Sequence, residues 1–166
     1  ASADAVFAYS EFGRDTLLNQ CRDIKFVDTA SPSASNAFMP YGDKGEHKAS
    51  MGLSENVLIL GTVMRNQKRK LYPDLFQDSV QHCRHCNEFA CQMVGINNSI
   101  SENELASVYN LFDIYVQYAN SEGFGMPQLE AAQCSVPVIS TYYSAMQSIV
   151  DNIDAIGIQP LSYYIE

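Results

Sequence analysis

The sequence of 166 residues has no tryptophan and few basic residues, with ten lysines and arginines against 19 aspartates and glutamates. Its formal net charge of −9 argues against broad nucleic-acid binding, because phosphate contacts require basic side chains. Long apolar runs are absent too, and no segment approaches the roughly 20 residues that a membrane-spanning helix needs. The start, "ASADAVFAYS", lacks the basic and apolar stretches of a signal peptide. We therefore expect a soluble, cytoplasmic protein.

The sequence also lacks an even number of cysteines: the odd total of five does not suit the disulfide framework of a secreted domain. In "HCRHCNEFAC", Cys83, Cys86 and Cys91 lie close together, with His82 and His85 beside them. A Cys-x-x-Cys pair is half of a common zinc site, and Cys91 or a histidine would supply further ligands. A second pair is missing, so the spacing favours ordinary reduced thiols while zinc stays an alternative.

What the sequence does contain is an alternation of strand and helix patterns, which predicts an α/β fold. The predicted strands are 3–10, 24–28, 56–63, 89–95, 113–118, 136–140 and 155–160, and the predicted helices are 11–21, 43–51, 70–81, 101–112, one from about Pro127, and 144–152. Such an order predicts a parallel sheet covered by helices on both faces. After the strand predicted at 24–28, residues 29–45 are rich in Ser, Pro and Gly and predict a linker. We therefore divide the chain into residues 1–42 and 43–166.

Local signals predict several helix ends. Ser10 can cap the helix at 11–21, Gly52 ends the helix at 43–51, and Ser101 with Glu104 forms a capping box. The apolar face predicted for the helix at 101–112 consists of Leu105, Val108, Leu111 and Phe112.

Two segments that follow predicted strands carry the candidate chemistry. The basic loop, "RNQKRK" at 65–70, holds four of the ten basic residues and suits either a solvated helix start or a site for one small anion. The Glu-Gly loop, "SEGFGMPQLE" at 121–130, combines two glutamates with two glycines and a proline. Ligands of parallel sheets bind outside the carboxyl ends of the strands, so we expect both loops to face one crevice.

The Glu-Gly loop has the residue types of a phosphate and sugar site. Gly123 and Gly125 let backbone approach a ligand, and Pro127 in the first helical turn leaves N–H groups for an anion such as a diphosphate. Glu130, predicted in that first turn, can accept both hydroxyls of a ribose, and Glu122 would face another part of the same ligand. The simpler alternative is that both glutamates only favour a helix N-terminus.

The string "EGFGMPQLEAAQCSVPVIS" resembles the Glu-x7-Glu motif of retaining glycosyltransferases built from two Rossmann-like domains, the family called glycosyltransferase group 1 or family 4. The flanking "ENELASVYNLFDIYVQYANS" and "TYYSAMQSIV" resemble the elements around that motif, and "VLILGTVMRNQKRKLYPDLFQ" resembles the first strand and phosphate loop of the family's C-terminal donor domain. The resemblance implies one Rossmann-like half of such an enzyme. Residues 1–42 would be the end of the N-terminal domain with the interdomain linker, and residues 43–166 the nucleotide-sugar-binding domain.

The resemblance also implies roles for single residues. Arg65 and Lys70 would neutralise the donor diphosphate, Glu122 would contact the transferred sugar and its developing charge, and Glu130 would hold the nucleotide ribose. The remaining residues of the implied donor site, which would present mainly backbone, are Gly123, Phe124, Gly125, Met126 and Leu129.

The implied activity is transfer of a sugar from a nucleotide-diphosphate donor to a glycan, lipid or protein acceptor, with retention of configuration. No cofactor or metal is implied, nucleic acid is not a partner, and peripheral membrane association stays open.

The sequence departs from the family pattern in three respects. The N-terminal domain is almost wholly absent, and none of His47, His82 and His85 lies in a motif that matches the family's catalytic histidine. The segment between Gln81 and residue 89 is shorter than usual by one strand and one helix. Ser135 stands where glycine is usual, in a left-handed helix end. The alternatives are therefore a degenerate donor-domain fragment that binds nucleotide or nucleotide-sugar without catalysis, and an unrelated nucleotide-binding Rossmann protein.

For the cysteine cluster we expect no bound zinc in the purified chain, because a second cysteine pair is missing. Elemental analysis of the protein measures this directly. About one equivalent of zinc, lost in a Cys83→Ser variant, would contradict the expectation.

Overall fold

The computed structural model describes residues 3–21, 23–64, 74–75, 77 and 100–161. The strands that these residues form are β1 (Val6–Ala8), β2 (Val27–Thr29), β3 (Leu60–Gly61), β4 (Ile114–Gln117), β5 (Val138–Thr141) and β6 (Ile156–Ile158). The helices are α1 (Glu11–Gln20), α2 (Lys44–Ser50), α3 (Glu102–Tyr109), α4 (Met126–Gln133) and α5 (Met146–Asn152). Within the described residues, no helix is long and apolar enough to cross a membrane.

The strands form two parallel sheets. β1 pairs with β2, and the second sheet has the order β3-β4-β5-β6 with every neighbouring pair parallel. Parallel neighbours require crossover connections, which α1, α4 and α5 provide between β1 and β2, β4 and β5, and β5 and β6. The predicted α/β class with a parallel sheet is confirmed.

Most predicted elements in the described residues are found, but several are shorter. β3 contains only two residues of the predicted 56–63. Just before β3, the backbone N–H of Ile59 donates to the carboxylate of Asp113 at 2.8 Å, so a side chain takes the acceptor position of a strand carbonyl. The strand predicted at 89–95 and most of the helix predicted at 70–81 lie outside the described residues.

The helix caps predicted at Ser10 and Ser101 are confirmed. Ser10 Oγ accepts from the N–H of Gly13 at 3.2 Å, and Ser101 and Glu104 form the reciprocal capping box. The predicted end of α3 is wrong, because the helix ends at Tyr109, and it also buries Ala106 and Tyr109 completely. The residues predicted for its apolar face do pack on the core: Phe112 is buried beyond the helix, and Leu105, Val108 and Leu111 are partly buried against the core.

A buried ion pair holds α2 against the second sheet. Lys48 is only 4% exposed, and its Nζ donates to the Asp113 carboxylate at 2.7 Å and to the Val57 carbonyl at 2.8 Å. A buried ammonium group is tolerated only when it is paired in this way. Asp113 and Val57 precede β4 and β3, so α2 covers the amino ends of these strands and leaves their carboxyl ends clear.

The segment predicted as a linker has no helix or strand between residues 30 and 43, yet it is anchored. Ala34 and Phe38 are buried in the core of the second sheet, where the Phe38 ring lies edge-on to Tyr109 with ring centroids 5.8 Å apart. Asn110 accepts from the backbone N–H of Tyr41 at 2.8 Å. Tight packing therefore fixes this stretch to α3.

Three helices end in the same left-handed motif, but only α2 ends with glycine there. The left-handed residues are Gly52 after α2 (φ 74°), Ser135 after α4 (φ 59°) and Asp154 after α5 (φ 53°). After α4, the N–H of Val136 donates to the carbonyl of Ala131 at 3.0 Å, as in a Schellman motif. The predicted end at Gly52 and the predicted left-handed Ser135 are both confirmed.

We expect Ser135→Gly to raise the free energy of unfolding by about 0.5–1 kcal/mol. The left-handed conformation costs a non-glycine residue roughly 1–2 kcal/mol, and the extra freedom of glycine in the unfolded chain offsets about 0.4–1 kcal/mol of the gain. Urea unfolding measures the difference. Ser54→Gly is the control: Ser54 is exposed and has no positive φ, so this change should only destabilise. Equal effects at the two positions would contradict the strain at Ser135.

Candidate functional site

The Glu-Gly loop lies at the carboxyl end of β4 and leads into α4. β3 runs parallel to β4, so the carboxyl end of β3 lies at the same edge of the sheet. Residues 62–64 continue from β3 towards the basic loop, but Arg65 and Lys70 lie outside the described residues. The shared crevice of the two loops therefore stays a prediction that the sheet topology supports.

The two glycines of the loop have different surroundings. Gly125 has φ 110° and is the N-cap of α4, and a Cβ there would lie 2.6 Å from the side-chain nitrogen of Gln128. Gly123 is exposed, and a Cβ there would meet nothing within 4 Å. Glycine is thus required at 125 by backbone and packing, whereas Gly123 leaves open space beside the backbone. α4 begins at Met126, with Pro127 in its first turn as predicted.

Glu130 is bound by a buried tyrosine. The hydroxyl of Tyr109 donates to Glu130 Oε2 at 2.7 Å. Burial raises the pKa of Glu130 above its ordinary value, and the hydrogen bond from Tyr109 acts in the opposite direction. A carboxylate has several acceptor sites, so one such bond orients Glu130 and leaves capacity for a ligand hydroxyl.

Neither glutamate lies in the first turn of α4, so the predicted position of Glu130 in that turn is wrong. Glu130 is the fifth residue of the helix, and Glu122 precedes the N-cap. The stabilisation of acidic side chains by a helix N-terminus falls off within the first turn. A role limited to favouring the helix start is therefore poorly supported for both.

Glu122 is held from a different direction. The side-chain amide of Gln117, at the end of β4, donates from Nε2 to Glu122 Oε1 at 2.8 Å. The backbone N–H of Glu122 also lies 3.4 Å from the hydroxyl oxygen of Ser144. Glu122 is partly exposed, whereas Gln117 is buried. Each glutamate of the motif thus has its own buried partner.

The apolar residues of the loop mainly contribute packing. Met126 and Leu129, both predicted to bind substrate, pack against the buried core with side chains that are partly buried. Phe124 lies edge-on to Tyr9, with ring centroids 6.5 Å apart. Tyr9 follows β1, so this contact joins the first sheet to the Glu-Gly loop.

Several residues that shape the site were not predicted. Tyr109, Tyr115 and Gln117 are all buried, and Gln117 is the one with a sequence signal, a polar residue inside the strand pattern "DIYVQY". Gln128 is also fully buried, and within the described part of the chain neither of its side-chain amide atoms has a hydrogen-bond partner. Such groups are costly to bury, so their positions are informative.

The histidine and cysteine predictions have separate outcomes. His47 lies on α2, where its Nε2 is 2.9 Å from the carbonyl of Ser107 and its ring packs against Tyr41. The cluster of Cys83, Cys86 and Cys91 with His82 and His85 lies outside the described residues. Among the residues that the structure describes, no three His, Cys, Asp or Glu side chains are grouped to hold a metal ion.

Comparison with known families finds one match, over residues 88–158, to the family described as "Glycosyl transferases group 1". No curated protein sequence matches the chain significantly. The family match includes the whole Glu-Gly loop, α4, β5, α5 and β6. The resemblance predicted from the loop is thereby confirmed.

Solved structures with the same fold are glycosyltransferases of low sequence identity. The sucrose-phosphate synthase tll1590 from Thermosynechococcus elongatus has a TM-score of 0.71 and 21% identity, with 97% of this chain and 46% of that chain covered. The C-terminal domain of the group 1 family protein LpcC from Francisella tularensis has a TM-score of 0.62 and 20% identity, and the match covers 78% of this chain and 82% of that chain. Anabaena Alr3699/HepE, in complex with UDP and glucose, has a TM-score of 0.70 and 15% identity, and the match covers 96% of this chain and 50% of that chain. The chain thus spans about half of the first and third structures, and its fold is that of one Rossmann-like half.

Removing the Tyr109 hydroxyl should raise the pKa of Glu130 further, because the bond stabilises the charged carboxylate. A carboxyl whose folded pKa is raised stabilises the fold fully below its unfolded pKa, and this contribution is lost as pH rises through the folded pKa. In Tyr109→Phe that loss should therefore extend to higher pH.

Carbon-13 NMR titration of Glu130, assigned with Glu130→Gln, measures the midpoint in both proteins. Tyr115→Phe is the matched control, because the Tyr115 hydroxyl donates to Gln117 instead. A midpoint that moves equally in both tyrosine variants would show that the Tyr109 bond is not the cause.

Proposed function

We propose that this chain binds the nucleotide-sugar donor of a glycosyltransferase, because residues 88–158 match the model of the group 1 glycosyl transferases and the described residues have the fold of one Rossmann-like half. With a complementary domain, the enzyme transfers the sugar to an acceptor with retention of configuration. The observation that carries this proposal is the pair of glutamates at the carboxyl end of β4, each oriented by a different buried side chain.

The nucleotide end of the donor is assigned to Glu130. Its carboxylate is fixed by Tyr109 and can accept the two hydroxyls of a ribose. Charge-assisted hydrogen bonds of this kind contribute about 1.5–3 kcal/mol. The half-buried position of Glu130 strengthens such a contact, because less water competes for the carboxylate.

The sugar end is assigned to Glu122 and to the open backbone at Gly123. Glu122 is partly exposed and held by Gln117, so it can contact sugar hydroxyls and the positive charge that develops as the bond to the leaving group breaks. This contact is electrostatic and pre-oriented, which is the type that lowers a barrier most.

The diphosphate lies between the two ends in this proposal. Gly125 and the first turn of α4 supply a helix N-terminus, and Arg65 and Lys70 supply positive charge. Positioning of the donor and neutralisation of the leaving diphosphate then account for catalysis without a metal ion or cofactor.

The acceptor, the domain division and the location belong to the same proposal. Residues 1–42 form the end of an N-terminal domain: β1 and β2 make a two-stranded parallel sheet with Phe7 and Phe26 exposed, and such a sheet needs further cover. The acceptor, a glycan, lipid or protein, binds mainly to that other domain, and a lipid acceptor would bring peripheral membrane association. Cys21 and Cys134 are free thiols, which suits the cytoplasm.

A second candidate function is binding of nucleotide or nucleotide-sugar without transfer. The observation that favours it is that the contacts orienting Glu122 and Glu130 lie within this chain, and donor binding needs these contacts alone, whereas transfer also needs an acceptor site. Activity of the chain together with its complementary domain distinguishes the two functions.

The two glutamates should be separable by calorimetry with a nucleotide diphosphate and its sugar conjugate. UDP and UDP-glucose are tested first because the Anabaena structure contains UDP and glucose, and the GDP and ADP pairs follow. Glu130→Ala should weaken both ligands of a pair by roughly 10- to 100-fold, since both contain the ribose. Glu122→Ala should weaken only the sugar conjugate.

Arg65→Ala and Lys70→Ala provide the contrast, because they should weaken every diphosphate ligand whatever its sugar. The parent chain should gain about 2.7 kcal/mol of stability from a ligand at 100 times its Kd. If Glu130→Ala binds both ligands as tightly as the parent, the ribose role is wrong.

A further inference from the structure

We propose that Gln117 is a positioning residue for Glu122, and that Tyr115 fixes Gln117 in the orientation this requires. The proposal rests on the assignment of Glu122 to the donor sugar given above. It adds two residues outside the Glu-Gly loop that determine how the loop recognises the sugar.

The contacts form a continuous chain from the sheet to the loop. The Tyr115 hydroxyl donates to Gln117 Oε1 at 2.6 Å, and Gln117 Nε2 donates to Glu122 Oε1 at 2.8 Å. Tyr115 is 0% and Gln117 1% exposed, so the bond between them is shielded from water, whereas the bond to Glu122 is only partly buried. Both residues lie on β4, two positions apart, and their side chains therefore project to the same face of the sheet.

The hydrogen bonds from Tyr115 to Gln117 and from Gln117 to Glu122 can run in only one direction. If the Gln117 amide were reversed, its oxygen would face the carboxylate of Glu122, and its NH₂ group would lose an acceptor of full negative charge. The hydroxyl of Tyr115 prevents this reversal by holding the amide oxygen. Burial raises the pKa of Tyr115, so the phenol keeps its proton and stays a donor.

The same phenol also lies near the other candidate loop. Tyr115 Oη is 3.2 Å from the carbonyl oxygen of Val63, two residues before the basic loop begins. Tyr115 thus contacts the segment that leaves β3 directly, and it is linked to the Glu-Gly loop after β4 through Gln117. A shift of either segment would therefore change the position of the Glu122 carboxylate, which is assigned to the sugar.

A buried glutamine would be a poor choice if this position only filled space. An apolar side chain of similar size avoids the cost of burying an amide, whereas Gln117 makes a charge-assisted bond to a partly exposed carboxylate at the site. Gln128, also fully buried, has no side-chain hydrogen-bond partner among the residues that the structure describes. Gln117 differs from it because its amide is directed at Glu122.

The test measures the ratio of the Kd of UDP to the Kd of UDP-glucose in the parent chain and in each variant. If the parent chain binds the GDP or ADP pair instead, the same ratio is measured for that pair. Gln117→Leu should lower this ratio about tenfold with the Kd of the diphosphate unchanged, because only the sugar contact is loosened. Gln117→Glu should lower it at least as much, since a second carboxylate would face Glu122. Tyr115→Phe should give a smaller loss in the same direction.

Two controls separate positioning from general damage to the fold. Tyr109→Phe removes an equivalent buried hydroxyl but acts on Glu130, so it should weaken both ligands of the pair alike. Ser140→Ala removes a buried hydroxyl from the position of β5 that pairs with Gln117, and it should leave the ratio unchanged. A ratio unchanged in Gln117→Leu would overturn the proposal.

A measurement without ligand makes failure of the proposal distinguishable from failure of the proposed function. In nitrogen-15 NMR spectra, the side-chain NH₂ signals of Gln117 should shift and exchange faster with solvent in Glu122→Ala and in Tyr115→Phe. Unchanged signals would show that the contact does not exist, whatever the chain binds. A parent chain that keeps this NMR signature but binds no nucleotide pair would instead contradict the proposed function, and the role of Gln117 towards a sugar with it.

Discussion

The buried side chain of Tyr109 is the contact on which the second sheet and its site depend. Its ring packs against Phe38 from the irregular segment, Phe112 after α3 and Tyr115 on β4, while its hydroxyl donates to Glu130 on α4. A phenol that is 0% exposed must have a hydrogen-bond partner, so its position fixes where α4 can lie. One residue thereby joins core packing to the orientation of a carboxylate.

The amino ends and the carboxyl ends of the strands in the second sheet differ in how their charged side chains are paired. At the amino ends of β3 and β4, Lys48 and Asp113 neutralise each other in a buried pair, and α2 covers them. At the carboxyl ends, Glu122 and Glu130 accept hydrogen bonds from the neutral side chains of Gln117 and Tyr109. Ligand sites of parallel sheets generally lie outside the carboxyl ends of the strands, which agrees with the assignment of these two glutamates to a donor.

The Glu-x7-Glu motif is one continuous string in the sequence, but its two glutamates are held by different structural elements. Glu122 belongs with β4 through Gln117, and Glu130 belongs with α3 through Tyr109, although only seven residues separate them. The glycine at 125, with its left-handed φ of 110°, is what lets the chain turn between these units. Loops that join rigid elements in this way can hold two groups at fixed positions without being rigid throughout.

The sequence by itself determined the α/β class, the positions of most described helices and strands, the caps at Ser10 and Ser101, and the strained Ser135, because these follow from local backbone preferences and hydrophobic period. The loop string was also sufficient to indicate the family. Only the tertiary structure decided which side chains orient the two glutamates, why β3 is short, and that Tyr109 is the most deeply buried large side chain of α3. Those outcomes depend on contacts between residues distant in sequence, such as Asp113 with Lys48, and no local pattern encodes the partner of a buried polar group.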